Sequence, residues 1–226
     1  MKISVWNLMR PNSGTIERNK LFLNSLQELD SDIVILTETN SIIDLGDKYY
    51  SLSTLPLPEN IDEVKFKYGE NRVTIFSKTP FIKKISTADS YSSVCAETKT
   101  AFGPLIIYGT IIGYLGGRLD PFKSDLKKQT LDIIRLSQKG NLCFAGDLNV
   151  AFSGNPYPSK TVVEDVAKRF EELELKIVTK ECKDSAIHAV ISNSFLQDVH
   201  FNIEQLFFDG NITDHRLVTI SLIPKI

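Results

Sequence analysis

Residues 142–149 read LCFAGDLN: four apolar residues, a glycine, then Asp147 and Asn149 with Leu148 between them. Side chains two apart in an extended chain point the same way, so a carboxylate and a carboxamide surface together where a core strand ends. The pattern recurs. Asn7 follows ISVW, Glu38 follows IVILT, and Asp214 and His215 precede RLVTISL. Four apolar runs thus deliver two amides, three carboxylates and one imidazole at strand ends, where polar groups reach a ligand without disturbing a core. Oxygen donors of this kind suit a hard divalent cation, Mg²⁺ or Mn²⁺, better than zinc. A cation beside a free carboxylate and a histidine is equipped for attack by water on phosphorus. The metal offsets phosphate charge, an Asp orients or deprotonates the water, and a His stabilises the pentacoordinate state. Singly, each group has a plainer reading: Asn7 as a turn residue, Glu38 as a helix-start carboxylate, Asp147–Asn149 and Asp214–His215 as hydrogen-bonded turns.

The elements that must carry these groups follow from periodicity. Residues 2–8 alternate as a half-buried strand does, and 33–37 form a short, continuously apolar one. Further strands are expected at 72–77, 93–98, 104–112, 142–146, 187–192 and 217–223. Residues 17–29 place Leu21, Phe22, Leu26 and Leu29 on one helical face. A second helix is expected from about Ser124 to Gln138, with Leu126, Ile133, Ile134 and Leu136 available to the core and Gly140 as its stop signal. A third runs from about Val162 to Leu173. The stretches 54–60 and 153–160, rich in Pro, Asn and Ser, read as surface loops. Strands outnumber helices and do not alternate with them strictly. That favours an α/β chain of two sheets with helices outside over a single doubly wound sheet.

At 226 residues, one large domain spanning 1–226 is the expectation. An apolar fraction of 42% and a charged fraction of 24% are those of an ordinary globule, and a formal net charge of -2 gives no sign of a polyanion or membrane binder. A local basic groove remains compatible with that balance. Cys95, Cys143 and Cys182 are widely spaced in apolar surroundings and read as buried thiols of a reducing compartment. The first residues form a strand pattern, not a signal sequence, and no apolar run is long enough for a membrane span. The expectation is a cytoplasmic protein without membrane contact; oligomeric state is silent.

Taken together, "WN", "TE" closing an apolar strand, "GDLN" and a C-terminal "TDHRLV" resemble the endonuclease/exonuclease/phosphatase (DNase I-like) superfamily, in its order and over nearly the whole chain. The resemblance implies a two-layer β-sandwich flanked by helices in four layers, α/β/β/α. It implies Mg²⁺ or Mn²⁺ as cofactor, with Glu38 a direct ligand and Asn7 and Asp214 beside it. It further implies that Asp147 activates the attacking water, Asn149 holds a phosphate oxygen, and Asp214 and His215 close the site on the scissile phosphate. Arg72, Tyr114 and Arg118 are candidates for substrate contact. Two positions depart from the pattern. Ile111 stands where members of the superfamily carry a His or Tyr, and Ile187 or Ser185 stands where an Asp is expected, near His188. The reading is a metal-dependent phosphodiesterase or nuclease acting on DNA, RNA or a small phosphoester. The alternative is a catalytically impaired member that binds phosphate or nucleic acid.

Overall fold

The computed structural model describes residues 1–61, 64–114 and 117–225. Along the chain run β1 (Lys2–Asn7), α1 (Ile16–Leu29), β2 (Ile33–Asn40), β3 (Tyr50–Ser53), β4 (Asn60–Ile61), β5 (Val64–Lys65) and β6 (Glu70–Ser77). Next come β7 (Phe81–Ile85), β8 (Ser93–Thr100), β9 (Gly103–Ile111), α2 (Asp120–Ser137), β10 (Leu142–Asp147) and α3 (Lys160–Glu172). The last are β11 (Leu175–Ile177), β12 (Ile187–Ser192), β13 (Val199–Leu206) and β14 (Leu217–Pro224). Two mixed sheets of six strands result, in the orders β13-β14-β1-β2-β6-β3 and β11-β12-β10-β9-β8-β7.

Period-two patterning decides what each strand buries. In β1, Ile3 and Val5 face the other sheet while Trp6 faces outward. The inter-sheet core joins Ile3, Val5, Ile35 and Val73 to Ile107, Cys143, Ala145 and Ile187 of the second sheet. Both faces of β2 and β10 are covered, so these strands are continuously apolar rather than alternating. On the outer side of the first sheet, α1 buries Phe22 and Leu26 against Trp6, Val34 and Leu36. On the outer side of the second, Phe122, Ile133 and Leu136 of α2 and Val166 and Phe170 of α3 pack on Tyr108 and Phe144. Each fully buried side chain of this size contributes about 1.5–3 kcal/mol through burial. The expected α/β/β/α layering is the one observed.

Helix ends follow local chemistry. The backbone N–H of Asp30, at φ 46°, donates to Leu26 O and closes α1. The Ser159 hydroxyl accepts from the Val162 N–H and opens α3. The second helix begins four residues before its expected start, because Pro121 in its first turn has a φ already set for a helix. Ile134, counted toward the core by its spacing, is 37% exposed. The three cysteines are buried and unpaired.

Two positions deserve mechanical comment. Gly146, just before Asp147, has φ 148°, and a Cβ there would stand 1.8 Å from the Thr110 carbonyl oxygen. Backbone, not a flexible side chain, blocks that space. His188 on β12 is fully buried on the helix-facing side of the second sheet, with its ring edge-on to Phe152 at 4.8 Å. Its Nε2 lies 2.8 Å from the Ser185 carbonyl oxygen, which only accepts, so Nε2 carries the proton. Nδ1 then accepts from the Thr179 hydroxyl at 2.9 Å. Burial holds this imidazole neutral and pushes its pKa down to about 4. His188 is a core histidine.

Gly146→Ala should cost at least the roughly 3 kcal/mol at the upper end of ordinary overpacking, read as the urea-unfolding midpoint. For His188 the folded pKa lies below the unfolded value near 6.5, so the unfolded chain binds the extra proton first. Stability is complete above about pH 6.5 and is lost as pH falls toward about 4. Between about pH 7.5 and pH 4.5 the wild type should lose roughly 2–3 kcal/mol more than His188→Gln in urea unfolding. Equal losses in the two proteins would remove His188 as the source.

Candidate active site

Strands β1 and β2 are parallel neighbours, with Asn7 registered on Thr37, so Asn7 and Glu38 leave the first sheet together. By alternation Asn7 shares the inter-sheet side with Ile3 and Val5. Alternation would put Glu38 with Val34 and Leu36 under α1, but a backbone φ of 44° at Glu38 breaks the pattern. Its Oε1 accepts from Asn7 Nδ2 at 3.2 Å. The same amide nitrogen donates at 2.8 Å to Oδ2 of Asp147, which closes β10 of the opposite sheet. Asn7 Oδ1 accepts from the Met9 N–H at 2.9 Å, which fixes the rotation of the carboxamide.

Asp147 is buried, and its Oδ1 accepts from the Asn149 N–H at 3.0 Å. Asn149 itself, at φ 48°, donates from Nδ2 to the carbonyls of Ile112 at 2.9 Å and Gly113 at 3.1 Å. The donor is occupied in tying the exit of β9 to the turn after β10. The last pair arrives on the turn before β14. Thr213 Oγ1 donates to Asn7 O at 3.0 Å and accepts from the His215 N–H at 3.1 Å. Trp6 Nε1 donates to the His215 carbonyl at 3.4 Å. Asp214 Oδ1 then stands 3.2 Å from His215 Nε2.

The departures are visible in the register. Ile111 pairs with Asp147 across the parallel β9–β10 ladder, and Ile187 pairs with it across β10–β12. Both are fully buried. Asp147 therefore stands between two aliphatic walls, and the carboxylate nearest His215 comes from its own neighbour, Asp214. Burial raises the pKa of Asp147, opposed by the His215 charge and by hydrogen bonds from Asn149 and Asn7. Burial also raises Glu38, with the charge of Asp147 adding to it and Asn7, His215 and Arg10 opposing.

Arg72 and Tyr114 lie together beside Glu38, the guanidinium carbon 3.7 Å from the tyrosine ring centre. Arg118 sits apart from them, 5.4 Å over the ring of Tyr157, whose hydroxyl accepts from the Gly117 N–H. Sequence reasoning did not single out Arg10, which pairs with Glu70 at 3.0 Å and covers the Phe66 ring at 4.8 Å. The signal available was the interleaving of cations and aromatics in VKFKY at 64–68. Thr213 was also missed; a hydroxyl that orders a turn has no pattern of its own.

Among the described residues, no three Asp, Glu, His or Cys side chains are grouped closely enough to form a metal cage. The donor set nonetheless fits a hard cation that keeps most of its water. Mg²⁺ is commonly bound through one or two carboxylates plus substrate oxygens. Glu38 and Asp147 are two such carboxylates, mutually repelling and bridged by one amide.

No protein-family model matches the sequence, and no curated protein matches it. Solved structures do. The humanized D. rerio TDP2 matches with a TM-score of 0.72 and 13% identity over 99% of this chain and 98% of its own. An AP endonuclease from Archaeoglobus fulgidus matches over 100% of both chains at 0.68 and 11% identity. A 3' phosphatase, NExo from Neisseria, bound to product DNA hairpin, matches over 99% of both at 0.68 and 13% identity. At such identities the likeness is one of fold, and it agrees with two six-stranded sheets flanked by helices. The chain has the fold of the endonuclease/exonuclease/phosphatase, or DNase I-like, superfamily.

Proposed function

We propose that the protein is a divalent-metal-dependent phosphoesterase, acting most readily as a phosphodiesterase or nuclease on a nucleic acid or nucleotide-like substrate. The observation that carries this reading is the Asn7 amide shared between Glu38 and Asp147 across the two sheets, with Asp214 and His215 alongside. Neighbours of the same fold that act on DNA, an AP endonuclease and a 3' phosphatase bound to a product hairpin, support the reaction class.

In this reading Glu38 would hold Mg²⁺ or Mn²⁺ directly, with Asn7 placing its carboxylate and Asp214 nearby. When bound, the ion supplies charge neutralisation at the phosphate. Asp147 takes the proton of the attacking water at its carboxylate. Burial raises its proton affinity, which makes it a better base than a solvated aspartate. The Asn7 amide and the Asn149 N–H fix the direction of its lone pairs. His215, held by the Thr213 turn with Asp214 beside its Nε2, donates toward a non-bridging phosphate oxygen. The aliphatic side chains of Ile111 and Ile187 keep bulk water from Asp147.

A second reading is a phosphate- or nucleic-acid-binding module without turnover, favoured by one observation. The two positions flanking Asp147 are isoleucines, so His215 has no partner from β9 or β12.

Purified protein incubated with Mg²⁺ or Mn²⁺ should hydrolyse at least one of plasmid DNA, single-stranded DNA, an abasic duplex or bis(p-nitrophenyl) phosphate. Chelation with EDTA should abolish the activity, and Asp147→Asn should lower it by about 10²–10⁴-fold, the usual contribution of a general base. A folded protein that cleaves none of these would favour the binding module.

A further inference from the structure

Next to Glu38 opens a small cleft whose enclosed part measures about 80 Å³, room for a phosphate-sized group but not a whole nucleotide. Its charges do not cancel in an obvious way. Arg10 is paired with Glu70, which is 3% exposed. Arg72, 6% exposed at the cleft floor, forms no ion pair among the described residues, and its Nε has no hydrogen-bond partner. It rests on the Tyr114 ring. The Thr39 hydroxyl in the same cleft is also buried and unpartnered. A buried guanidinium N–H and a buried hydroxyl left without partners are costly and rare unless a ligand supplies the acceptor. Tyr114 hydrogen-bonds the guanidinium, and Asp125 and Asp89 act on its charge from a distance, but none of them reaches its Nε.

The rim differs from the floor. Arg10 fixes the segment after β5 by donating to the Lys65 carbonyl and covering Phe66. Beyond it the chain reads Lys65, Phe66, Lys67, Tyr68, with both lysines exposed. Tyr68 is 101% exposed and lies between two cleft residues in sequence, Phe66 and Glu70. Exposed aromatics interleaved with cations form the platform on which unpaired bases stack, while cations follow the phosphates.

We propose that this cleft and its rim form a subsite for the nucleotide flanking the scissile phosphate of a single-stranded nucleic acid, with Arg72 on the flanking phosphate and Tyr68 stacked on its base. The inference rests on reading Glu38 as the ligand of the cation that meets the scissile phosphate. It narrows the substrate class to strands with unpaired bases, because a duplex keeps its base faces stacked and out of reach of Tyr68.

Binding rather than turnover tests it, which separates its failure from failure of the catalytic reading. The full chain carrying Asp147→Asn, in Mg²⁺, is titrated into fluorescein-labelled oligothymidylate of about ten nucleotides, within the usual site size of such platforms, and followed by anisotropy. A duplex of equal length should bind at least about tenfold more weakly if base stacking carries the affinity. Adding Tyr68→Ala should weaken single-strand binding by about 5–100-fold, as loss of one stacked base does. That side chain is fully exposed, so folding is not at risk. Adding Arg72→Met should weaken binding about tenfold and reduce the salt slope by about 0.7, one phosphate contact on a single strand. Equal affinity for duplex and single strand, or unchanged binding and salt slope in the two variants, would overturn the proposal. Absence of any binding would do the same.

Discussion

One carboxamide joins the two halves of the sandwich at its working end. Asn7 leaves the first sheet and donates from a single nitrogen to Glu38 of that sheet and to Asp147 of the other. A buried carboxylate facing a half-buried one is unfavourable unless something positive or hydrogen-donating lies between them. The amide provides part of this, and its own oxygen is held by the Met9 N–H. Everything that aims Asn7 therefore aims both carboxylates. That includes the parallel β1–β2 pairing and the Thr213 hydroxyl on the Asn7 carbonyl.

The backbone around this amide is strained in a concerted way. Met9, Arg10, Glu38 and Asn149 all have φ between 44° and 57°, a region most side chains avoid. Each departure redirects a group that regular strand geometry would misplace. Glu38 is turned out of the face it would share with Leu36, and Asn149 brings its N–H back to Asp147. Arg10 is swung to Glu70, where it also anchors the arm that carries Phe66. Such strain costs of order 1–3 kcal/mol per residue and persists only where packing overdetermines it. Here the support is the fully buried Trp6, Leu8 and Val5 beneath.

The sequence exposed the site more clearly than the sheets. Asn7, Glu38, Asp147, Asp214 and His215 could be read because each ends or begins a run of core residues, and a charge there has no apolar explanation. The strands β3, β7, β11 and β13 escaped notice for opposite physical reasons. β3 and β7 are edge strands with mostly exposed side chains, and β11 has only three residues. β13 alternates Val199, Phe201 and Ile203 with polar residues, a readable pattern masked by its high polarity. Spacing shows where Asn149 stands and not which carbonyls its amide serves, here those of Ile112 and Gly113. The walls beside Asp147 depend on register between strands distant in sequence, which no local pattern encodes.

Those walls bear on how the site can work. An aspartate flanked by Ile111 and Ile187 is poorly solvated, which raises its proton affinity, and neither β9 nor β12 gives it an imidazole or carboxylate beside it. The only imidazole near enough to act on its charge is His215, which arrives with Asp214 from the far end of the chain. In the proposed reaction, proton transfer and charge stabilisation would fall to residues on two separate elements, β10 and the turn before β14, held together through Asn7 and Thr213. A substrate that positions its own phosphate through a flanking nucleotide depends less on a dense cluster of catalytic side chains. Under the proposed function, the sparse site and the adjoining Arg72 cleft would be two parts of one arrangement, with binding energy gathered beside Glu38 compensating for what Ile111 and Ile187 do not supply.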